Sequence, residues 1–348
     1  MKVLAIRTDF KHHGDRFGYK QILKYTKPYK VIGIDERNSE HPIPVLKSRY
    51  PWLFEFEALK FRKQIDIIHI LYGEDYYRWS SYLFKSIPVV ATFHQPAETL
   101  LREIQKGDVR GKIGKFTHKL TLSRFKRLKA AIVTNPTQIS VLQKVMDIDK
   151  IHYIPIGIHV EELNELFYTK PDRNKQLQLT GMNIITVGTW LRDWKYYFKI
   201  VDKCPQHQFH LVDRKMEPAI RSEVEKRKNI TYHKNIDDSE LFRLYQFCDL
   251  QFLPVLGIAG SNAFLQGLAL GCPTLITYFE GDPVQEGKKF IWHYKKEDVE
   301  DGITKLEQIQ NLGNQEYREI QEAANQYANE HSWKSIAEKT LKLYKELI

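Results

Sequence analysis

Cysteine is scarce in this chain: Cys204, Cys248 and Cys272 are the only three among 348 residues. An odd number at wide, irregular spacing builds neither a disulfide framework nor a zinc ligand set, and it fits a reducing compartment. Long apolar runs are missing too. No stretch reaches the roughly 18 uninterrupted apolar residues that a spanning helix needs. The opening MKVLAIRTDF offers only Val3 to Ile6 before Arg7, too short for the core of a secretion signal. A cytoplasmic protein is expected, with any membrane contact peripheral. There is no short-period repeat and no low-complexity segment, so neither a fibrous nor a disordered chain is indicated. Nor is there a carboxylate cluster suited to a divalent ion.

What is present reads as an ordinary folded chain, 42% hydrophobic and 28% charged. Single cores stop growing near roughly 250 to 300 residues, so two domains are expected. In the first half, VLAI (3 to 6), KVIGI (30 to 34), IDIIHILY (65 to 72), PVVATF (88 to 93) and AAIVTN (130 to 135) are short, β-rich runs separated by helix-compatible segments. The half closes at IHYIPIGI (151 to 158), and TKPDRNKQLQLTG (169 to 181) reads as a linker. NIITVG (183 to 188), QFHLVD (208 to 213), NITYHKN (229 to 235), DLQFLPV (249 to 255) and TLITYF (274 to 279) then restart the rhythm, with a helix expected over 239 to 248. This alternation predicts two α/β units with parallel, doubly wound sheets, and such sheets bind ligands at the carboxyl ends of their strands. The expected boundaries are 1 to 168, the linker 169 to 181, 182 to 330, and an amphipathic terminal helix over 331 to 348. In that helix Ser332 is a candidate cap, and Trp333, Ile336, Ala337, Leu341 and Tyr344 recur at helical spacing.

The net charge of +10 is concentrated. Between Leu101 and Ala130 ten Lys/Arg residues face Glu103 and Asp108, which leaves +8 in that segment alone. On a helical projection Lys112, Lys115, Lys119 and Lys126 share one arc, while Ile113, Phe116, Leu120 and Leu128 share another. Leu122 and Phe125 fall nearer the basic arc, and apolar groups among lysines suit the interface of an anionic bilayer. A solvated surface helix accounts for the same pattern. Nucleic acid is a third partner for such charge, but no recognisable DNA- or RNA-binding module accompanies it.

The densest run of small residues is GIAGSNAFLQGLALGCP (257 to 273), lying between two expected strands. Gly257 and Gly260 permit close approach of a ligand to the backbone. Ser261 and Asn262 open a helix whose unpaired N–H groups suit phosphate oxygens. Gly271 stands where the helix would end, with Pro273 just beyond. Glycines at the turns of any βαβ unit would look similar.

The neighbouring motifs give the run a context. FLPVLGIAGSNAFLQGLALGCPTL (252 to 275) resembles the donor-site signature of retaining GT-B glycosyltransferases of the GT4 type. NIITVGTWLRDWK (183 to 195), SELFRLYQFCDLQFLP (239 to 254), AAIVTNPTQISVL (130 to 142), IHYIPIGI (151 to 158) and HSW (331 to 333) resemble further pieces of that family in the family's order, so the likeness covers nearly the whole chain. The resemblance implies two Rossmann-like domains facing across a cleft, with the terminal helix returning to the first. It also implies a nucleoside-diphosphate sugar, of UDP or GDP type, held by the second domain, a glycan or lipid-linked acceptor held mainly by the first, and no cofactor.

The residues carried over are Gly188, Arg192 and Lys195 for the diphosphate, with the Gly260, Ser261 and Asn262 backbone beside it and Gln266 for ribose. Cations and backbone donors are what a departing diphosphate requires, and they would take the place of a metal. In KHHGDRFGYKQI (11 to 22), Gly14, Asp15, Arg16 and Gly18 are similar to the family's Gly-rich loop. His94, closing PVVATF, resembles its strand-end histidine near the sugar. His69, between Ile68 and Ile70, reads as core. The family's two acids, eight residues apart, fall here on Ile258 and Gln266. That departure leaves the sugar open and admits a non-catalytic partner subunit; a basic nucleic-acid-binding protein is the remaining alternative.

Overall fold

The computed structural model describes all residues except 10–17, 37–44, 106–111, 170–180, 215, 258–260 and 280–286, and only the backbone at 45, 48, 112–118 and 121. The described residues form two compact units, Met1–Gly157 with Trp333–Ile348, and Ile158–Gly257 with Ser261–Ser332.

The first unit is built on a six-stranded parallel sheet of β1 (Val3–Asp9), β2 (Lys30–Asp35), β3 (Ile67–Ile70), β4 (Val89–Phe93), β5 (Ala130–Val133) and β6 (Ile151–Tyr153), in the order β2-β1-β3-β4-β5-β6. Every residue of β3, β4 and β5 is buried. That explains why these strands read as continuous apolar runs without alternation: a parallel sheet is covered on both faces. The terminal helix Trp333–Leu347 supplies part of the cover, burying Trp333, Ile336, Ala337, Leu343 and Tyr344 in the core of this unit. Gly157 meets it closely, since a Cβ there would lie 2.6 Å from the Trp333 ring. The His69 ring, expected as core, is buried and ties the helix down: Nδ1 shares a hydrogen bond with the Tyr344 hydroxyl at 2.5 Å, and Nε2 one with the Thr92 hydroxyl at 2.7 Å.

The second unit repeats the plan with β7 (Asn183–Val187), β8 (Gln208–Asp213), β9 (Ile230–Lys234), β10 (Leu250–Leu253), β11 (Thr274–Thr277) and β12 (Ile291–Tyr294), all parallel, in the order β12-β11-β10-β7-β8-β9. Strand β12 was not anticipated; its IWHY run is only four residues long and lysines flank it closely on both sides. The helix Asn262–Ala269 ends as its glycine pattern predicts. Gly271, at φ +62°, donates to the Leu268 carbonyl at 3.0 Å, and Cys272 donates to the Gly267 carbonyl at 2.8 Å. This pair of bonds is the left-handed helix stop that glycine favours. A Cβ at 271 would also strike the Phe167 ring at 2.5 Å.

Strand order fixes where ligands can be held. Each sheet has a point at which successive connections leave in opposite directions and the strand ends splay apart. That point lies between β1 and β3 in the first unit, and between β7 and β10 in the second.

Candidate functional site

In the second unit, Gly188 follows β7 directly, at φ +77°, and the chain then turns through Thr189–Leu191 into the helix Trp194–Lys203. Asp193 caps that helix by accepting from the Tyr196 N–H at 3.0 Å. Arg192 pairs in an isolated antiparallel bridge with Val255, which follows β10, so this residue spans the switch point. Its guanidinium folds back over the strand end, donating through Nη2 to the Val187 carbonyl at 2.6 Å and through Nη1 to the Trp190 carbonyl at 3.2 Å. Its Nε is buried without a partner among the described residues. Burial lowers the Arg192 pKa to about 10, so the group remains a cation at neutral pH. Among the described residues no carboxylate bonds to it, and a half-buried cation left in that state favours an anionic ligand. Lys195 is exposed in the first turn of the helix.

Ser261 caps the helix Asn262–Ala269, its Oγ accepting from the Phe264 N–H at 3.3 Å. The first N–H groups of this helix have no intrahelical acceptor, which is the anion-binding property expected of it. Gln266 is 4% exposed on the same helix, one turn beyond Asn262. Gly260 and Ile258 lie outside the described residues.

In the first unit, His94 follows β4 beside the switch point. Its Nε2 donates to the Leu71 carbonyl at 2.8 Å, which assigns the proton, because a carbonyl can only accept. Burial lowers its pKa to about 4, so the ring is neutral at physiological pH and Nδ1 is an acceptor. The ring lies between Tyr19, with centroids 4.7 Å apart, and Tyr72 at 4.9 Å. Gly18 is described, at φ +89°, as the residue that opens the 3-10 turn Tyr19–Gln21; Gly14, Asp15 and Arg16 lie outside the described residues.

Three groups at this strand end escaped the sequence reading. Asp9, the last residue of β1, pairs with Lys20 at 2.6 Å and with Arg7 at 2.9 Å, and Arg7 also reaches Asp35 at 3.5 Å. Tyr19 is buried against His94. Glu74 is buried and accepts the backbone N–H of Gln95 at 2.7 Å and that of His94. Their signal was position alone: Asp9 closes β1, and Tyr19 and Glu74 come after β1 and β3, on the side where such sheets bind ligands.

The basic segment forms the helix Lys112–Arg127. Lys119 and Lys126 are exposed, and the side chains of Lys112 and Lys115 lie outside the description. Phe125, expected among the membrane-facing residues, is 0% exposed and packs against Phe93 at 5.9 Å and Tyr77 at 6.3 Å. The projection misassigned it because Leu122, Phe125 and Leu128 all pack on the core of this unit, Leu122 only partly buried. Among the described residues no helix is long and apolar enough to cross a membrane, and no group of three or more His, Cys, Asp or Glu side chains is placed to hold a metal.

No protein-family model matches the sequence, and no curated protein matches it. Solved structures do. The chain is similar to sucrose-phosphate synthase from Thermosynechococcus elongatus, with 14% identity, a TM-score of 0.71, and 100% of this chain and 99% of that one covered. It is similar to HepE from Anabaena, solved with UDP and glucose, with 12% identity, a TM-score of 0.69, and coverage of 99% and 100%. It is similar as well to the trehalose-6-phosphate synthase OtsA, with 12% identity, a TM-score of 0.72, and 100% of each chain covered. These likenesses establish the GT-B fold over the whole chain.

Proposed function

We propose that the chain is a glycosyltransferase of the GT4 type. It takes a sugar from a nucleoside diphosphate of UDP or GDP type and passes it, with retention and without a metal, to a glycan or lipid-linked acceptor. The observation that carries this reading is the half-buried Arg192 cation, which reaches over the strand end beside Gly188 at the switch point of the second unit and whose buried Nε has no partner among the described residues. The departing diphosphate is the charge such a group would stabilise. Neighbours of the same fold that were solved with UDP and glucose, or with a UDP-sugar analogue, support the donor class.

In this reading Arg192 and Lys195 meet the diphosphate together with the backbone at 260 to 262, Gln266 meets ribose, and neutral His94 accepts a hydrogen bond from a sugar hydroxyl. Gly14, Asp15, Arg16 and Gly18 face the acceptor. Lys112, Lys115, Lys119 and Lys126, with Leu122 at their edge, bring the enzyme to an anionic membrane where lipid-linked acceptors for cell-surface polysaccharide are found.

A thermal-shift screen with UDP, GDP and their sugars tests the donor site, because a ligand bound only by the folded state raises its stability. A parallel assay of hydrolysis and transfer tests the chemistry. Ile258 and Gln266, standing where the family has acids, favour one rival: a partner subunit that binds a nucleotide but turns nothing over. A shift without turnover on any donor would select that rival, and no shift at all would sink both.

A further inference from the structure

We propose that Glu74 is a positioning residue that sets the orientation of His94 by holding the backbone turn on which the imidazole is mounted. The inference rests on the reading of His94 as a sugar-facing acceptor, but its geometric part stands apart from that reading.

Beyond Phe93 the chain leaves the sheet, so the N–H groups of His94 and Gln95 lose their strand partners while still half-buried, and N–H groups shielded in this way need an acceptor. A single carboxylate oxygen, Oε1 of Glu74, takes both. The carbonyl side of the turn is held separately, since the Gln138 amide donates to the Gln95 carbonyl at 2.7 Å and to the Phe93 carbonyl at 3.2 Å. The imidazole itself donates to Leu71, three residues before Glu74. Backbone and ring of His94 are thus both tied to the segment 71 to 74.

That segment comes close because residue 73 is glycine. A Cβ there would stand 2.8 Å from the Phe93 ring and 3.1 Å from the Thr92 carbonyl. Burial raises the Glu74 pKa to about 7, and among the described residues no cation bonds to its carboxyl group; the Arg78 guanidinium reaches only the Glu74 main-chain carbonyl. Glu74 does not need to touch a substrate. Its work is to prevent the His94 turn from rotating, which would swing Nδ1 away from where the ring now presents it.

Two substitutions separate reach from charge. Glu74→Gln keeps an acceptor oxygen at the same reach without charge, whereas Glu74→Asp keeps the charge but withdraws it by one methylene. We expect Glu74→Gln to retain the His94 ring signals in 15N-edited NMR of the free protein: a neutral Nε2–H form that persists well below pH 6. Glu74→Asp should shift them toward an averaged tautomer that titrates nearer the ordinary histidine value. In turnover with the best donor, Glu74→Asp should lower kcat about tenfold or more with little change in KM, and Glu74→Gln should lose under threefold. Unchanged His94 signals in Glu74→Asp, or a Gln variant as impaired as the Asp variant in those signals, would overturn the proposal. If the native protein turns over no donor, the functional reading fails while the NMR comparison still decides the role of Glu74.

Discussion

The two units carry the same kind of sheet but furnish their strand ends differently. At the switch point of the first unit, ionisable groups crowd together: buried Glu74 and Asp9 with the half-buried His94, Lys20 and Arg7. At that of the second unit stand a glycine, the first turns of two helices and one half-buried guanidinium. In the proposed function the first arrangement, a neutral His94 ring beside the ion pairs of Asp9 with Lys20 and Arg7, is the part that meets sugar hydroxyls. The second offers uncompensated positive charge, which suits a diphosphate. In the proposed function similar scaffolds divide recognition between them, and each half of that division can be broken separately.

The largest effect belongs to the second unit. Arg192→Ala should weaken UDP or GDP binding about 10- to 100-fold, the worth of a charge-assisted hydrogen bond at about 1.5–3 kcal/mol. Lys195→Ala, from an exposed position, should weaken it no more than about fivefold. Isothermal titration with the nucleotide checks both. Equal losses at the two sites would mean that burial does not distinguish them.

Next in size is a pH response of the first unit. Glu74 has its pKa raised to about 7 by burial, so the folded state keeps a proton that the unfolded chain releases near 4.5. Its ionisation therefore lowers stability as pH rises through that window. Glu74→Gln should gain on the native protein by about 1–3 kcal/mol between pH 4.5 and 7, read as the change in denaturant midpoint. The groups around it are Tyr72, Asp75, His94 and the Arg78 guanidinium, which donates to the Glu74 carbonyl at 2.7 Å. The buried histidines act in the other direction. His94 is lowered to about 4 and His69 to about 3, so the stability of their neutral forms is full above pH 6.5 and is lost as pH falls toward those values.

How far the sequence foretold this depended on the kind of information required. The strands named from apolar runs, β1 through β11, are found where β-rich segments were expected; burial on both faces writes itself into the composition of β3, β4, β5, β10 and β11, whereas β2 and β9 are half-exposed edge strands. The Gly271 helix stop was legible because its conformation demands that residue type. Strand order was not legible, since hydrogen bonding between strands distant in sequence leaves no local trace. Glu74 was hidden for the same reason: Gly-Glu-Asp looks like a surface turn until Phe93 and His94 are brought against it. Phe125 failed differently, because a helical projection ranks faces by composition and the sheet beneath decided which side was covered.

A smaller effect compares the anchors of the two units. Tyr344 bonds His69 at the core of the first unit, and Tyr317 donates to the Asp249 carbonyl at 2.5 Å in the second. Each Tyr→Phe change removes one buried hydrogen bond and should cost about 1–2 kcal/mol. In calorimetry the two substitutions should depress different transitions if the units melt separately. A single transition moved equally by both would show that they melt as one cooperative body.

The smallest effect lies on the basic helix, where Phe125 and Lys126 are adjacent in sequence and opposite in role. Lys126→Glu, at an exposed position, should weaken binding to phosphatidylserine vesicles, since a lysine near an anionic surface contributes about 1 kcal/mol and the reversal replaces attraction with repulsion. Phe125→Leu should leave vesicle binding unchanged and instead lower the melting temperature, because its ring fills core space beside Phe93 and Tyr77. Co-sedimentation with vesicles at two salt concentrations separates them: only the native protein and Phe125→Leu should show strong binding that salt removes. If Lys126→Glu bound as tightly as the native protein at low salt, the charge on this helix would be solvated surface, and the acceptor would have to be sought away from the membrane.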